Sequence, residues 1–384
     1  MSKKISIVSS EFPPGPGGVG CHAFHLADKL FKFGWDVQVI TEQNYTDSTE
    51  LKIFNKSQDF KVINVPSVSS RLTQLKKVLL TFISLLQHRP SLIVGTGTSA
   101  LNNSSFFSKL FKSKLVLLGH GIEFGINQKN NKTNVKHELY ENSDKIIFVS
   151  EFTRSVAKKN NFIIEDSIVI HNGGDSSIFK VLPANEISQF KKFKNIENQK
   201  IILTIGGVHE RKGQEWIIRA MPEILKKVPN AHYYCIGLGV IKEKLENLAN
   251  ELNLNSRVHF LGRLEDEEMI LWLNASDVFG MTSVLSKDGD FEGFGIAIIE
   301  AAMCGKPAVV SDASGVTEAV VNGETGLVSR ERDSYDISEK ICELLQDDSL
   351  RLKIGNAAFE RASTLYTWEA IIKKYDTELL ALLD

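Results

Sequence analysis

Residues 292–310 read EGFGIAIIEAAMCGKPAVV, a glycine-broken turn leading into an apolar helical run and then a small-residue passage towards a strand. Gly293 and Gly295 let the backbone take steep or left-handed conformations and leave room for a ligand against the main chain. Ile296 to Ile299 begin a helix, whose first amides lack intrahelical partners and lie at the positive end of its dipole, where a phosphate is favoured. Glu300 falls about one turn into that helix, so its carboxylate can accept from a ribose diol, while Glu292 faces whatever lies beyond the phosphates. Two arbitrary glutamates are ordinarily solvated. Here AAMCGKPAVV implies tight packing into a core strand, which puts Glu300 at a cleft edge and suits a nucleotide-sugar site.

The same strand-then-helix rhythm runs outward in both directions. Apolar runs VQVIT at 37–41, LIVG at 92–95, KLVLLG at 114–119 and KIIFVS from 145 alternate with helical patterns. The rhythm resumes with IILTIG at 201–206, HYYCIG at 232–237, RVHFLG at 257–262 and PAVVS at 307–311. Parallel sheets in two doubly wound α/β domains are predicted, and 384 residues suffice for two cores. The polar stretch PANEISQFKKFKNIENQ predicts a linker at 183–199 between an N-terminal domain, 1–182, and a C-terminal domain, 200–365. Residues 366–384 carry apolar side chains at helical spacing and read as a terminal helix.

Composition narrows the function. Apolar content of 42% and charged content of 24% are those of a globular protein. The four cysteines show no metal-ligand or disulfide spacing, which fits a reducing cytosol. With no signal-peptide core and no membrane-spanning run, a cytoplasmic location is expected. Residues 1–182 hold 22 Lys and Arg against 15 Asp and Glu, and the remainder holds 23 against 32. A basic half can attract anionic lipid or phosphorylated acceptors, giving peripheral contact with the inner face of a membrane, or be solvated surface. No nucleic-acid partner is expected. The helix RLTQLKKVLLTFISLLQ at 71–87 reads either as interfacial or as a core helix with a basic edge.

Ligands of open parallel sheets bind beyond the carboxyl ends of the strands. Of the loops there, EFPPGPGGVG at 11–20, with Gly17 and Gly18, is a tight turn or a phosphate or acceptor loop. His120 ends a strand in LLGHGIE and is either structural or turned to the cleft. Arg211 and Lys212, in IGGVHERKG, are cations at a strand end, suited to a diphosphate leaving group. The acidic triplet Asp288-Gly289-Asp290 is short enough to arise by chance, and no metal is assigned to it.

The ordered set PPGPGGVG at 13–20, GHGIE at 119–123, VIHNGGDSSIF at 169–179, GGVHERKG at 206–213, RVHFLGRL at 257–264, FEGFGIAIIEAAMCGKPAVVSDASGVTEAV at 291–320 and NGETGLV at 322–328 resembles the retaining glycosyltransferases of family 4. YTWEAI at 366–371 resembles the family's terminal helix, which crosses back onto the first domain. The resemblance implies a GT-B fold of two Rossmann-like domains facing each other across a cleft, a nucleotide-sugar donor, and a saccharide or lipid-linked acceptor. It implies that Glu300 binds the ribose, Lys212 the diphosphate, and Glu292 with the backbone of Gly293, Phe294, Gly295 and Ile296 the transferred sugar. Gly17 and Gly18 approach the phosphates, His120 stabilises the developing oxocarbenium charge, and the base rests on backbone near Arg263 and Leu264. No cofactor or metal is implied, because retention proceeds by front-face attack. One departure stands out: Gly207 replaces the arginine usual in the family, with Arg211 or Arg263 as candidate substitutes. A nucleotide-sugar epimerase or hydrolase of the same fold, and a non-catalytic donor-binding subunit, are the alternatives.

Overall fold

The computed structural model describes residues 3–15, 17–43, 48–127, 132–133 and 137–384. The chain divides into two units, Met1–Asn172 with Trp368–Asp384, and Gly173–Thr367.

In unit 1 the strands are β1 Lys4–Ser9, β2 Asp36–Thr41, β3 Lys61–Asn64, β4 Leu92–Thr96, β5 Lys114–Gly119, β6 Ile126–Asn127, β7 Lys132–Thr133, β8 Lys145–Phe148 and β9 Ser167–Val169. Seven form one sheet in the order β3-β2-β1-β4-β5-β8-β9, and β6 and β7 form a short antiparallel ribbon. Every pairing in the large sheet is parallel; Ile5, for instance, sits between Val37 and Leu92. Central strands covered on both faces must be apolar along their length, and β4 is buried throughout. The chain runs outward from β1 to β3, then returns to lay β4 on the other side of β1. The crevice at the carboxyl ends of β1 and β4 is therefore a topological switch point. The helix Trp368–Ala381 completes this core, burying Trp368, Ile371, Ile372, Tyr375 and Leu379 with Ile5, Ile7 and Leu26.

Unit 2 has β10 Lys200–Ile205, β11 Ala231–Ile236, β12 Val258–Gly262, β13 Val278–Met281, β14 Ala308–Ser311 and β15 Gly326–Ser329. Their order is β12-β11-β10-β13-β14-β15, so the switch point falls between β10 and β13. Its core joins Ile202, Tyr233, Val278 and Val309 to the helices Gln214–Lys227 and Ser334–Gln346.

The division lies at Asn172 and Gly173, upstream of the linker expected at 183–199. Residues Ala184–Lys194 form a helix of unit 2. Leu182 donates its amide to Asn274 Oδ1 at 2.9 Å, and Phe190 meets Trp272 edge-on at 5.4 Å. Only Phe190 of this helix is buried, which is why its sequence has the polar look of a linker.

Candidate functional site

The loops that leave β10 and β13 touch. A Cβ on Gly213 (φ 72°) would lie 1.7 Å from the carbonyl oxygen of Thr282, so glycine is required for the two backbones to meet. Thr282 Oγ1 donates to Gly213 O at 2.9 Å, and Val284 N donates to Arg211 O at 3.0 Å. This contact carries the cations of one loop to the carboxylate of the other. Lys212 Nζ stands 3.0 Å from Glu292 Oε2, and Arg211 Nη1 donates to the same oxygen.

Burial pushes the Glu292 carboxyl up, but Lys212 and Arg211 outweigh it and hold the group below the usual range. Burial lowers Lys212, with Glu292 opposing. Glu300 behaves oppositely: burial, reinforced by Asp266 and opposed by Lys212, pushes it up to about 7. No hydrogen-bond donor among the described residues reaches its carboxylate. Two acids eight positions apart thus have different characters: Glu292 is a neutralised anion, and Glu300 an acceptor with unused lone pairs.

Between them, Gly295 (φ 89°) caps the helix Ile296–Met303 without any side-chain hydrogen bond; its carbonyl accepts from Ile298 N at 3.0 Å, which leaves the amides of Ile296 and Ala297 open. Phe294 is buried against the Tyr366 ring at 5.7 Å and steadies the turn. Gly315 N donates to Glu292 O at 3.1 Å, fixing the backbone from the other side. Asp290 closes a turn on Ser286, and the charges it faces are Arg211, Asp288 and His209. Among the described residues no group of three His, Cys, Asp or Glu is arranged for a metal ion.

The remaining expected residues lie along the same edge of the sheet, where Gly237 N donates to Gly262 O at 2.8 Å. Arg263 and Leu264 follow β12, which β11 separates from β10, and Arg263 is exposed without an ion pair among the described residues. Arg211 is engaged with Glu292. What stands beside Gly207 is His209, to which no sequence motif points. A Cβ at Gly207 would lie 2.7 Å from its Cδ2 and 2.9 Å from its Nε2, so the imidazole fills the space where a side chain at 207 would begin. Burial, then Arg211 and Lys212, lower its pKa.

In unit 1 the loops after β1 and β4 also meet. A Cβ on Gly97 would fall 1.8 Å from Ser10 Oγ, and Ser10 N donates to Thr96 O at 3.0 Å. Gly17 (φ 147°) caps the helix Gly18–Lys32; a Cβ there would come 2.1 Å from a Glu11 carboxylate oxygen. A Cβ on Gly18 would meet nothing within 4 Å, so space opens at that helix terminus.

His120, one residue past β5, has its Nε2 2.8 Å from the Thr96 hydroxyl. Burial lowers its pKa to about 4. His22 meets its ring edge-on at 5.1 Å and in turn has Nε2 3.1 Å from the Tyr375 hydroxyl. Glu123 Oε2 accepts from the amides of His120 (3.2 Å) and Gly121 (2.9 Å), while its Oε1 is buried without a partner. Burial pushes Glu123 up to about 7. Sequence reasoning misses His22, Thr96 and Glu123; only Glu123, three residues after His120 in GHGIE, carries a local signal.

Two family models match in tandem, Glycosyltransferase Family 4 over residues 16–177 and Glycosyl transferases group 1 over residues 185–361. The chain is 26% identical over 370 residues to a GDP-mannose-dependent monoacylated alpha-(1-6)-phosphatidylinositol monomannoside mannosyltransferase of Corynebacterium glutamicum, covering 96% of this chain and 95% of the relative. It is 25% identical over 261 residues to N-acetyl-alpha-D-glucosaminyl L-malate synthase of Bacillus anthracis, covering 68% and 62%. Anabaena HepE, solved with UDP-glucose, superposes with TM-score 0.82 at 21% identity, covering 98% of this chain and 99% of that one. Sucrose-phosphate synthase of Thermosynechococcus elongatus superposes with TM-score 0.81 at 20% identity, covering 99% of each chain. These superpositions show a two-domain GT-B fold.

Proposed function

Since this chain belongs to the group 1, family 4 glycosyltransferases, we propose that it moves a sugar from a nucleoside-diphosphate donor to a saccharide or lipid-linked acceptor, with retention of anomeric configuration and without a metal. The observation that carries the reading is the convergence of Lys212, Arg211 and Glu292 at the β10/β13 switch point, beside the start of the helix Ile296–Met303, which no side chain caps. Lys212 has three donors and can serve Glu292 and a diphosphate oxygen together. The amides after Gly295 and the Arg211 guanidinium add donors to the same anion. Glu300, with free acceptor capacity, takes the ribose hydroxyls.

In the reaction the bond from the anomeric carbon to the phosphate oxygen breaks and the acceptor oxygen bonds to that carbon from the same face. The departing phosphate oxygen takes the acceptor's proton, so nucleoside diphosphate and glycoside are the products. The protein supplies positioning and charge stabilisation rather than a covalent nucleophile. Glu292 and the Gly293–Ile296 backbone hold the transferred sugar. In unit 1, His120 stays neutral at pH 7, and its ring can stabilise developing positive charge without adding a repulsive one. Within unit 1 the backbone at Gly18 is open to a ligand, and Gly17, packed against Glu11, sets the turn before it. Biosynthesis of a glycan or cell-envelope polysaccharide is the setting this implies.

The relatives include both a GDP-mannose-dependent enzyme and a protein solved with UDP-glucose, so the donor panel should span UDP, GDP and ADP sugars. Nucleoside diphosphate release is measured with donor alone and with donor plus acceptor, in the presence of a chelator. Release that requires both substrates and yields a product of unchanged anomeric configuration is expected. Turnover of donor alone to a new nucleotide sugar would overturn the reading.

A further inference from the structure

The helix Arg71–His88 in unit 1 has its polarity inverted. Its buried side chains are Lys77, Thr81, Ser84 and Leu85, whereas Leu72, Leu75, Leu79, Ile83 and Leu86 are 40–81% exposed. At 3.6 residues per turn those five fall within an arc of roughly 80°. The orientation is enforced from inside. Lys77 pairs with the Glu42 carboxylate just beyond β2, and Ser67 and Ser99 each donate to that carboxylate at 2.9 Å. Rolling the helix over to bury the leucines would strand both charges. The helix beside it, Thr98–Phe111, joined by the Phe82–Phe111 contact at 5.7 Å, exposes Phe106 and Leu110 as well.

An independent observation lies in the charges. From Lys61 to Ile122 the sequence has no Asp or Glu and eight Lys and Arg. Arg71, Lys76, Arg89, Lys109 and Lys112 are exposed and pair with no carboxylate among the described residues. A second copy of this face would set basic against basic. We propose that this face of unit 1 rests on an anionic lipid surface, with the leucine stripe entering the acyl boundary and the flanking cations at headgroup level. The chain lies on the bilayer: among the described residues no helix is long and apolar enough to cross it.

The full chain should co-sediment with phosphatidylcholine vesicles containing phosphatidylglycerol, bind phosphatidylcholine alone far less, and be released as salt rises. Leu75→Ser/Leu79→Ser/Ile83→Ser should fold normally by circular dichroism and lose binding. Lys76→Gln/Lys109→Gln/Lys112→Gln should weaken it by about fivefold per neutralised lysine. Failure to bind anionic vesicles, or unchanged binding of the serine variant, overturns the proposal. So does concentration-dependent dimerisation abolished by the serine substitutions without vesicle binding, which would assign the face to a second copy. Nucleoside diphosphate release with a soluble acceptor, measured without vesicles, keeps this outcome separate from the transferase reading.

Discussion

The crevice at β10 and β13 is built from charges, and the one at β1 and β4 is built from buried groups kept neutral. In the first, Lys212 and Arg211 converge on Glu292 and keep it ionised despite burial. In the second, the His22 and His120 rings meet, Glu123 accepts from the His120 and Gly121 amides, and burial drives each of the three towards its uncharged form. Both crevices arise at the switch point of a doubly wound sheet, so topology alone does not set their chemistry. The difference lies in whether the loop after the first strand brings cations, as HERKG does, or prolines and glycines, as PPGPGG does.

The largest test of the contrast is Lys212→Ala. Losing a positioned cation from a closed anion site should lower kcat by about two to three orders of magnitude, whereas Arg211→Ala, at a more exposed position, should cost about tenfold. Equal and small losses in steady-state kinetics would mean that the crevice does not hold the leaving group.

Next come two isosteric changes, one in each crevice. Glu292→Gln leaves the largely buried Lys212 and the half-buried Arg211 uncompensated and should destabilise the fold by about 3 kcal/mol in denaturant melts at pH 7. Glu123→Gln should do the reverse. Its carboxyl rises from about 4.5 to about 7 on folding, so the native state holds a proton that the unfolded state releases in that window. Wild-type stability therefore falls as pH rises between those values, and the variant, lacking that slope, should gain up to roughly 3 kcal/mol relative to wild type above pH 7. Melts at pH 4.5 and pH 7.5 decide it.

A smaller effect is expected at Glu300. Glu300→Gln keeps the shape but weakens acceptance from a diol, so KM for the donor should rise about tenfold with kcat little changed. The smallest concerns His120. With its pKa near 4, it carries no charge change between pH 6 and pH 8, and the kcat profile should show no limb assignable to it there. A limb at pH 6.5 lost in His120→Asn would show that the ring charges and break the contrast.

Much of this architecture is legible in the order of the amino acids. The alternation of apolar runs announces two parallel sheets because strands buried on both faces must be apolar throughout. Glu292, Lys212 and the turn at Gly295 are legible because a glycine with positive φ and an adjacent helix start leave a local pattern. His209 beside Gly207 is not, since nothing in HERKG says which way the imidazole points. The helix Ala184–Lys194 reads as a linker because a single buried Phe190 anchors it. The helix at 71–87 leaves two options open, and its exposed leucines cannot be told from core leucines by periodicity, which finds a stripe without saying which side faces water.

Residue order thus sets the architecture, the family and the side-chain types available at each strand end, because backbone periodicity and turn chemistry are local. Which charges meet is settled only by the folded chain: the Gly213–Thr282 contact brings Lys212 to Glu292, and the Lys77–Glu42 pair turns five apolar side chains outward. Ion pairing and burial depend on distances between segments far apart in the chain, and those exist only once the sheets have formed.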